Sequence, residues 1–296
     1  MGESRIRDMR LIVTADLHYN HAHSQAQTQD MIERINRVGG DVLMLVGDTC
    51  VPEGDGLERC LSRILFKGPK LFVAGNHELW TSGQDSYAIF KEELPRRVGA
   101  LGWRWLEDEP FVENSTAIVG SIGWYDYSFA PQGLNVPRRF YEQKISPGAA
   151  ANLAEFAHLF NSPEDIPASS LEIVARWNDG RYVKLHRSDE EFLEEVLENL
   201  QGHLESLSGM RTIVAGIHHV PFAELLPPPY KAHWDFAKAY LGSARIGELL
   251  LRYPAVRYVF CGHSHMPCQT RIGSIHAVNV GSGYWCKRYR VLEVPD

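Results

Sequence analysis

The sequence predicts an α/β protein built on parallel strands. Two observations carry the prediction. Short apolar runs, read as buried strands, alternate with helix-like segments over about the first 80 residues. Several of these runs stop at a glycine and a polar cluster rich in His, Asp and Asn. Strands joined through helices pair in parallel with right-handed crossovers, and ligands gather at the carboxyl ends of such strands.

The elements follow in order. Leu11-Ile12-Val13-Thr14-Ala15 reads as the first strand and stops at Asp16-Leu17-His18. Gln25 to Val38 is expected to be a helix with Met31, Ile32 and Ile35 on one side, ended by Gly39-Gly40. Val42 to Val46 is a second strand, stopping at Gly47-Asp48, and Leu57 to Phe66 a second helix. Leu71 to Ala74 is the third strand, stopping at Gly75-Asn76-His77-Glu78. After a segment holding Trp103 and Trp105, Ala117 to Ile122 reads as a fourth strand.

From about residue 125 to 187 the periodicity is poor, with Pro131, Pro137, Pro147, Pro163, Pro167 and many aromatic residues. A stretch of that kind is expected to be a lid or a specificity insertion. Ser188-Asp189-Glu190-Glu191 is a capping box. It opens a helix running to about Leu207, with Phe192, Leu193, Val196, Leu197, Leu200 and Leu204 as its apolar face. Thr212 to Ile217 is a strand stopping at His218-His219, and Pro227-Pro228-Pro229 forces an extended loop. Arg245 to Leu251 is a short helix, and Arg257 to Cys261 a strand stopping at Gly262-His263-Ser264-His265. Ile275 to Val280 and Tyr289 to Val294 are the last strands. No internal repeat or linker is visible, so residues 1–296 are expected to form one domain with an insertion near 125–187.

Composition sets outer bounds. The chain is 44% hydrophobic and 23% charged, with a formal charge of −7 and a pI near 6.0, which argues against binding long nucleic acid through many phosphate contacts. Five cysteines, an odd number without a C-x-x-C, read as reduced thiols of a cytoplasmic protein. Met1 to Arg10 is polar and lacks the apolar core of a signal peptide. No apolar run approaches the roughly 18 residues of a membrane span.

The strand-end clusters together supply Asp16, His18, Asp48, Asn76, His77, His218, His263 and His265. Imidazoles mixed with carboxylates suit divalent transition metals such as Mn, Fe, Zn or Co. One carboxylate can bridge two ions, and two ions about 3.5 to 4 Å apart can hold a hydroxide and clamp a phosphoryl oxygen. Two dications set against Asp16 and Asp48 leave a net charge of about +2, matched to an anionic phosphoester.

In order and type, Asp16-x-His18, Gly47-Asp48, Gly75-Asn76-His77-Glu78, His218 and Gly262-His263-x-His265 resemble the motifs of the calcineurin-like metallophosphoesterase superfamily. The resemblance spans residues 16 to 265 and implies a four-layer α/β/β/α sandwich of two mixed sheets with a dinuclear site at the sheet edge. It implies that Asp16, His18 and His265 take one ion, that Asn76, His218 and His263 take the other, and that Asp48 bridges. It gives His77 contact with the phosphate and protonation of the leaving group, with attack by a metal-activated hydroxide. The motif after strand two departs from the usual pattern, reading Gly47-Asp48-Thr49-Cys50 without a further acidic or Asn residue. The fourth motif offers two histidines; we assign His218 as the ligand, and His219 to the layer behind the ligands or to the substrate.

In the middle segment, Trp124-Tyr125-Asp126-Tyr127 and Trp177-Asn178-Asp179 with Tyr182 read first as packing. The alternative is that Tyr125, Asp126 or Asp179 borders the cleft. Arg138-Arg139 reads as solvated charge, or as a site for a second phosphate. The expected activity is hydrolysis of a small phosphomonoester or phosphodiester, nucleotides included. The alternatives are a nuclease of the same superfamily, disfavoured by charge, and a non-catalytic metal-binding scaffold, disfavoured by the full ligand set.

Overall fold

The computed structural model describes residues 8–295. Met1–Arg7, most of the polar N-terminal segment, and Asp296 lie outside the described residues. Strands β1 (Met9–Thr14), β2 (Val42–Val46), β3 (Lys70–Val73) and β4 (Trp103–Trp105) are parallel neighbours in that order. A second sheet begins with the antiparallel pair β5 (Phe111–Glu113) and β6 (Thr116–Ser121). Strands β7 (Thr212–Ile217), β8 (Val256–Cys261), β9 (Cys268–Ile272) and β10 (Ile275–Asn279) complete it in the order β5-β6-β7-β8-β10-β9. The last strand, β11 (Tyr289–Val294), returns to the first sheet and runs antiparallel to β1.

The strands are apolar on both faces because both faces are covered. Leu11, Val13, Met44, Val46, Leu71 and Val73 of the first sheet meet Ile118, Val214, Phe260 and Val278 of the second. The alternate residues Ile12, Leu43, Leu45 and Phe72 turn the other way and share a cluster with Met31, Ile32 and Ile35 of the helix Ala22–Val38. On the far side, Phe192, Val196, Leu200 and Leu204 of the helix Asp189–Ser206 cover the second sheet. That gives helix, sheet, sheet, helix, the expected four layers. Each fully buried side chain of this size stabilises the fold by about 1.5–3 kcal/mol. The helix Asp189–Ser206 starts as its sequence dictates: Ser188 Oγ accepts from Glu191 N at 3.1 Å, and Ser188 N donates to Glu191 Oε2 at 2.8 Å.

Some local expectations fail for identifiable reasons. The second helix is confined to Gly56–Leu61 rather than reaching Phe66. The Asn36 side chain accepts from Leu65 N at 2.9 Å and donates to the Arg63 carbonyl at 3.1 Å, drawing those backbone groups out of a helical ladder. The first helix begins at Ala22, three residues earlier than Gln25. The short strands β4 and β5 precede the expected fourth strand, and β9 went unpredicted because it is a half-exposed edge rather than an apolar run.

Residues 122–188 hold short helices and turns, with one isolated bridge between Ile145 and Arg176. Phe140, Ile145, Ala150, Phe156 and Leu159 form a small core of their own there. No helix among the described residues is long and apolar enough to cross a membrane, and all five cysteines are free.

Candidate metal centre

Parallel strands place their carboxyl ends on one edge, and here both sheets contribute to that edge. Asp16 and His18 follow β1, Asp48 follows β2, and Asn76 and His77 follow β3 of the first sheet. His218 follows β7, and His263 and His265 follow β8 of the second. Five of these residues have left-handed backbones: Asp16 (φ 54°), His18 (43°), Asp48 (55°), His263 (66°) and His265 (57°). A non-glycine residue in that conformation costs about 1–2 kcal/mol, and such strain gathers at functional sites. Hydrogen bonds between loops hold it in place: His263 N donates to Asp16 Oδ1 at 2.9 Å, His77 N to Asp48 Oδ1 at 2.9 Å, and His18 N to the Asp48 carbonyl at 2.9 Å.

The side chains converge as two overlapping groups. Asp16, His18, Asp48 and His265 offer ligand atoms all within 4.8 Å of one another, and so do Asp48, His218 and His263. Asp48 belongs to both: its Oδ2 is 3.7 Å from His18 Nε2 and its Oδ1 is 3.4 Å from His218 Nε2. Asn76 Oδ1 lies 3.4 Å from His218 Nε2.

The tautomers are set from behind. His218 Nδ1 lies 3.0 Å from the Val46 carbonyl and His263 Nε2 lies 3.2 Å from the Tyr240 carbonyl. Each carbonyl accepts a hydrogen bond from the ring N–H, which leaves the other nitrogen's lone pair aimed inward. Those two inward nitrogens, His218 Nε2 and His263 Nδ1, are 3.2 Å apart, and His18 Nε2 and His265 Nε2 are 2.9 Å apart. Asp16 Oδ2 is buried without a hydrogen-bond partner.

Electrostatics points the same way. Burial pushes the Asp16 carboxyl up to about 8, and burial together with Glu78 raises that of Asp48. Burial holds His218 and His265 down to about 3 and lowers His18, His77 and His263 as well. Buried carboxyls that hold on to their protons and imidazoles kept neutral are what a site built for positive charge shows without it, and a divalent cation would displace those protons.

The motif around Asn76 divides by role. Glu78 is fully buried, and its carboxylate accepts from Asp48 N (2.9 Å), Thr49 N (2.6 Å), Cys50 N (3.0 Å) and Gly75 N (2.6 Å). The departure at Thr49-Cys50 is thereby explained: these residues act through their backbone amides. Gly75 does not make a tight turn, since its backbone is extended (φ −117°, ψ −178°). It is needed for space, because a Cβ there would lie 2.2 Å from Asp48 Oδ1. The His77 ring stacks on Trp80 at 3.7 Å, with Nε2 3.9 Å from Asp48 Oδ2.

The secondary candidates fare unequally. His219 is buried beside the ligand rings, 4.4 Å from that of His263; its Nδ1 lies 2.8 Å from the Ile122 carbonyl, and it is outside both groups. Tyr125 is fully buried and its hydroxyl donates to Asp179 Oδ2 at 3.0 Å, so it backs the site instead of bordering a cleft. Asp126 is engaged by serine donors of the chain. Its carboxylate accepts from Ser128 and from Ser243 Oγ (2.8 Å), tying a loop to the helix Ala244–Leu251. Arg138 pairs with Glu142 and Glu190, and Arg139 makes a two-pronged pair with Asp165, so both guanidiniums are engaged by carboxylates of the chain.

Four neighbours of the site are not apparent from the sequence motifs. Lys287 is buried and donates to the Asp16 carbonyl at 2.6 Å. The Tyr284 ring lies 4.5 Å from that of His18 and 5.1 Å from that of His265. His21 joins His18 and His77 in a third group of potential ligand atoms, and Trp80 backs His77. A signal exists for two of them: strand β10 also stops at a glycine-rich turn, Gly281-Ser282-Gly283, just before Tyr284 and Lys287.

Comparison with known proteins identifies the family of the chain. Residues 9–267 match the family model described as calcineurin-like phosphoesterase. The chain is 26% identical over 231 residues to [acyl-carrier-protein] phosphodiesterase PptH of Mycobacterium tuberculosis, a match covering 74% of this chain and 62% of that protein. The crystal structure of phosphopantetheinyl hydrolase PptH from the same organism superposes with a TM-score of 0.66 at 20% identity, covering 94% of this chain and 91% of that one. A dimetal phosphatase from Danio rerio superposes with a TM-score of 0.56 at 13% identity, covering 97% and 93%. At these identities the two structures speak for the fold. The family match runs from β1 through the His263–His265 turn, and on that ground the chain belongs to the calcineurin-like phosphoesterase family.

Proposed function

We propose that the chain hydrolyses a small phosphomonoester or phosphodiester at a two-metal centre. Asp16, His18 and His265 hold one ion, Asn76, His218 and His263 hold the other, and Asp48 lies between them. The observation that carries this reading is the position of the Asp48 carboxylate, one oxygen toward each group of imidazoles. When bound, two dications polarise a phosphoryl oxygen and make water acidic enough to act as a nucleophile. The donor set suits Mn, Fe, Zn or Co.

The chain's own groups do the rest. The loop carbonyls fix the ligand tautomers, and Glu78 fixes the backbone that carries Asp48. His77, stacked on Trp80, faces the side of Asp48 where the phosphoester would sit. Its ring is held neutral by burial and by the surrounding histidines, so it contributes a hydrogen bond to the phosphoryl or leaving oxygen rather than a standing positive charge. The names of the PptH relatives make a phosphopantetheinyl phosphodiester the first specific substrate to try.

The test is a substrate panel with the Mn-loaded protein. It spans p-nitrophenyl phosphate, bis-p-nitrophenyl phosphate, cyclic nucleotides, single-stranded DNA and a phosphopantetheinylated carrier protein. Turnover of a small ester is expected, with Asp48→Asn losing both metal and activity. His77→Asn is expected to keep the metal and to lose about 10²–10³-fold in turnover, the cost of removing one donor aimed at developing negative charge. Wild-type turnover by Asp48→Asn would overturn the role of Asp48, and preference for single-stranded DNA would favour a nuclease.

A further inference from the structure

Asp179 lies in the 125–187 segment, far in sequence from the strand-end motifs. It is 1% exposed. Its carboxylate accepts from four side chains: Asn76 Nδ2 at 2.8 Å and Trp80 Nε1 at 2.6 Å on Oδ1, and Trp177 Nε1 at 2.7 Å and Tyr125 hydroxyl at 3.0 Å on Oδ2. These donors are drawn from β3's loop, from the loop after β6 and from the segment itself. The outcome is specific for Asn76. An amide has an oxygen end and a nitrogen end, and an acceptor fixed at the nitrogen end decides which end faces the cluster. Here Oδ1 is the end that faces His218.

We infer that Asp179 is the positioning residue of the centre: its carboxylate locks the Asn76 amide with its oxygen toward the second metal and holds Trp80 against His77. This gives the 125–187 segment a part in metal binding as well as covering the fold. The inference rests on the ligand assignment proposed above.

The test measures metal binding, not turnover. Mn²⁺ is titrated into chelator-stripped protein and followed by electron paramagnetic resonance and calorimetry. Asp179→Ala should weaken one of the two sites roughly 10- to 100-fold and leave the other within about threefold. Asp179→Asn can keep an oxygen toward Asn76 and Trp80, so it should recover most of that loss. Asp189→Ala controls for packing. Asp189 is a buried carboxylate that accepts from Trp124 Nε1 at 2.8 Å and pairs with Lys144 at 2.5 Å, with no metal-ligand candidate attached. It should lower the melting temperature and leave both sites unchanged.

If Asp179→Ala does not fold, Asp179→Glu takes its place. It keeps the charge but shifts the oxygens by one methylene, and should still weaken the same site about tenfold or more. Equal weakening of both sites, or none, overturns the inference. Asn76→Ala separates this failure from failure of the ligand assignment: unchanged Mn²⁺ binding by Asn76→Ala overturns the assignment itself. Loss of one site in Asn76→Ala, with none in the Asp179 variants, overturns only the role of Asp179.

Discussion

Gly75→Ala sets two effects of opposite sign against each other. The backbone at Gly75 (φ −117°, ψ −178°) is one that alanine adopts freely. Restricting the unfolded chain would therefore stabilise the variant by about 0.4–1 kcal/mol if nothing else changed. The new Cβ, however, meets Asp48 Oδ1 at 2.2 Å, Asp48 N at 2.6 Å and His218 Nε2 at 2.7 Å. Relief needs movement of roughly 1 Å in groups that include backbone, and overpacking of this kind costs about 1–3 kcal/mol. The steric effect wins by up to about 2.6 kcal/mol, and for a chain of this length the melting temperature should fall by up to about 4 °C.

Metal binding should suffer more, because coordination distances tolerate only about 0.2 Å, and the two groups displaced are Asp48 and His218. Calorimetric titration with Mn²⁺ should show a loss of at least about 100-fold. Gly99→Ala is the counterpart. Gly99 sits in the helix Leu94–Ala100, and an added methyl group there would meet nothing within 4 Å, so the variant should gain about 0.5–1 kcal/mol. A Gly75→Ala protein that melts above wild type and binds Mn²⁺ unchanged would refute the reasoning.

Three further outcomes are expected. Glu78→Gln places an amide NH₂ against two of the four backbone donors. At about 1–3 kcal/mol for each donor left unpaired, it should lower the melting temperature of the Mn-loaded protein by several degrees; an unchanged value would mean the donors find other partners. Burial pushes the Glu107 carboxyl up to about 8. The stability contributed by its protonated form is present below the unfolded value near 4.5 and is lost as pH rises through 8. Glu107→Gln keeps an acceptor for Ile122 N and should gain on wild type between about pH 5 and 8, by up to about 1.4 kcal/mol per pH unit, and level off above, whereas parallel melting profiles would refute the assignment. Arg139→Ala should leave KM for mono- and bisphosphorylated substrates in the same ratio and shift stability by less than about 1 kcal/mol; a selective rise for the bisphosphate would restore Arg139 as a phosphate site.

The strand ends are legible because each follows a compact apolar run, so Asp16, His18, Asp48, Asn76, His77, His218, His263 and His265 stand out from the sequence alone. Their convergence depends on parallel pairing, which the strand–helix alternation already implies. What cannot be read is what acts across long separations. Asp179 reaches Asn76 over 103 residues, and Lys287 reaches Asp16 over 271. No local pattern encodes either pairing. Glu78 is readable as a carboxylate starting a helical turn, but its four donors come mostly from the neighbouring loop after β2. Gly75 looks like a turn residue because glycine usually marks one; the demand here is for empty volume beside Asp48. Edge strand β9 alternates exposed with half-covered residues and lacks the apolar run that gives the others away.

The site draws Asp16, His18, Asp48 and Asn76 from one sheet and His218, His263 and His265 from the other, and that division has a consequence for the chain during synthesis. The first sheet's share is made long before the second sheet exists. Residue 265 is added roughly 10–40 s after residue 76 at typical rates of 5–20 residues per second. Until then the nascent chain carries only part of each proposed ion site, too few donors to capture a dication firmly. Strand β11, which pairs with β1, arrives later still. On the proposed ligand assignment, metal capture is therefore a late event that requires both sheets to have docked, and the pairing of β11 with β1 follows it in chain order.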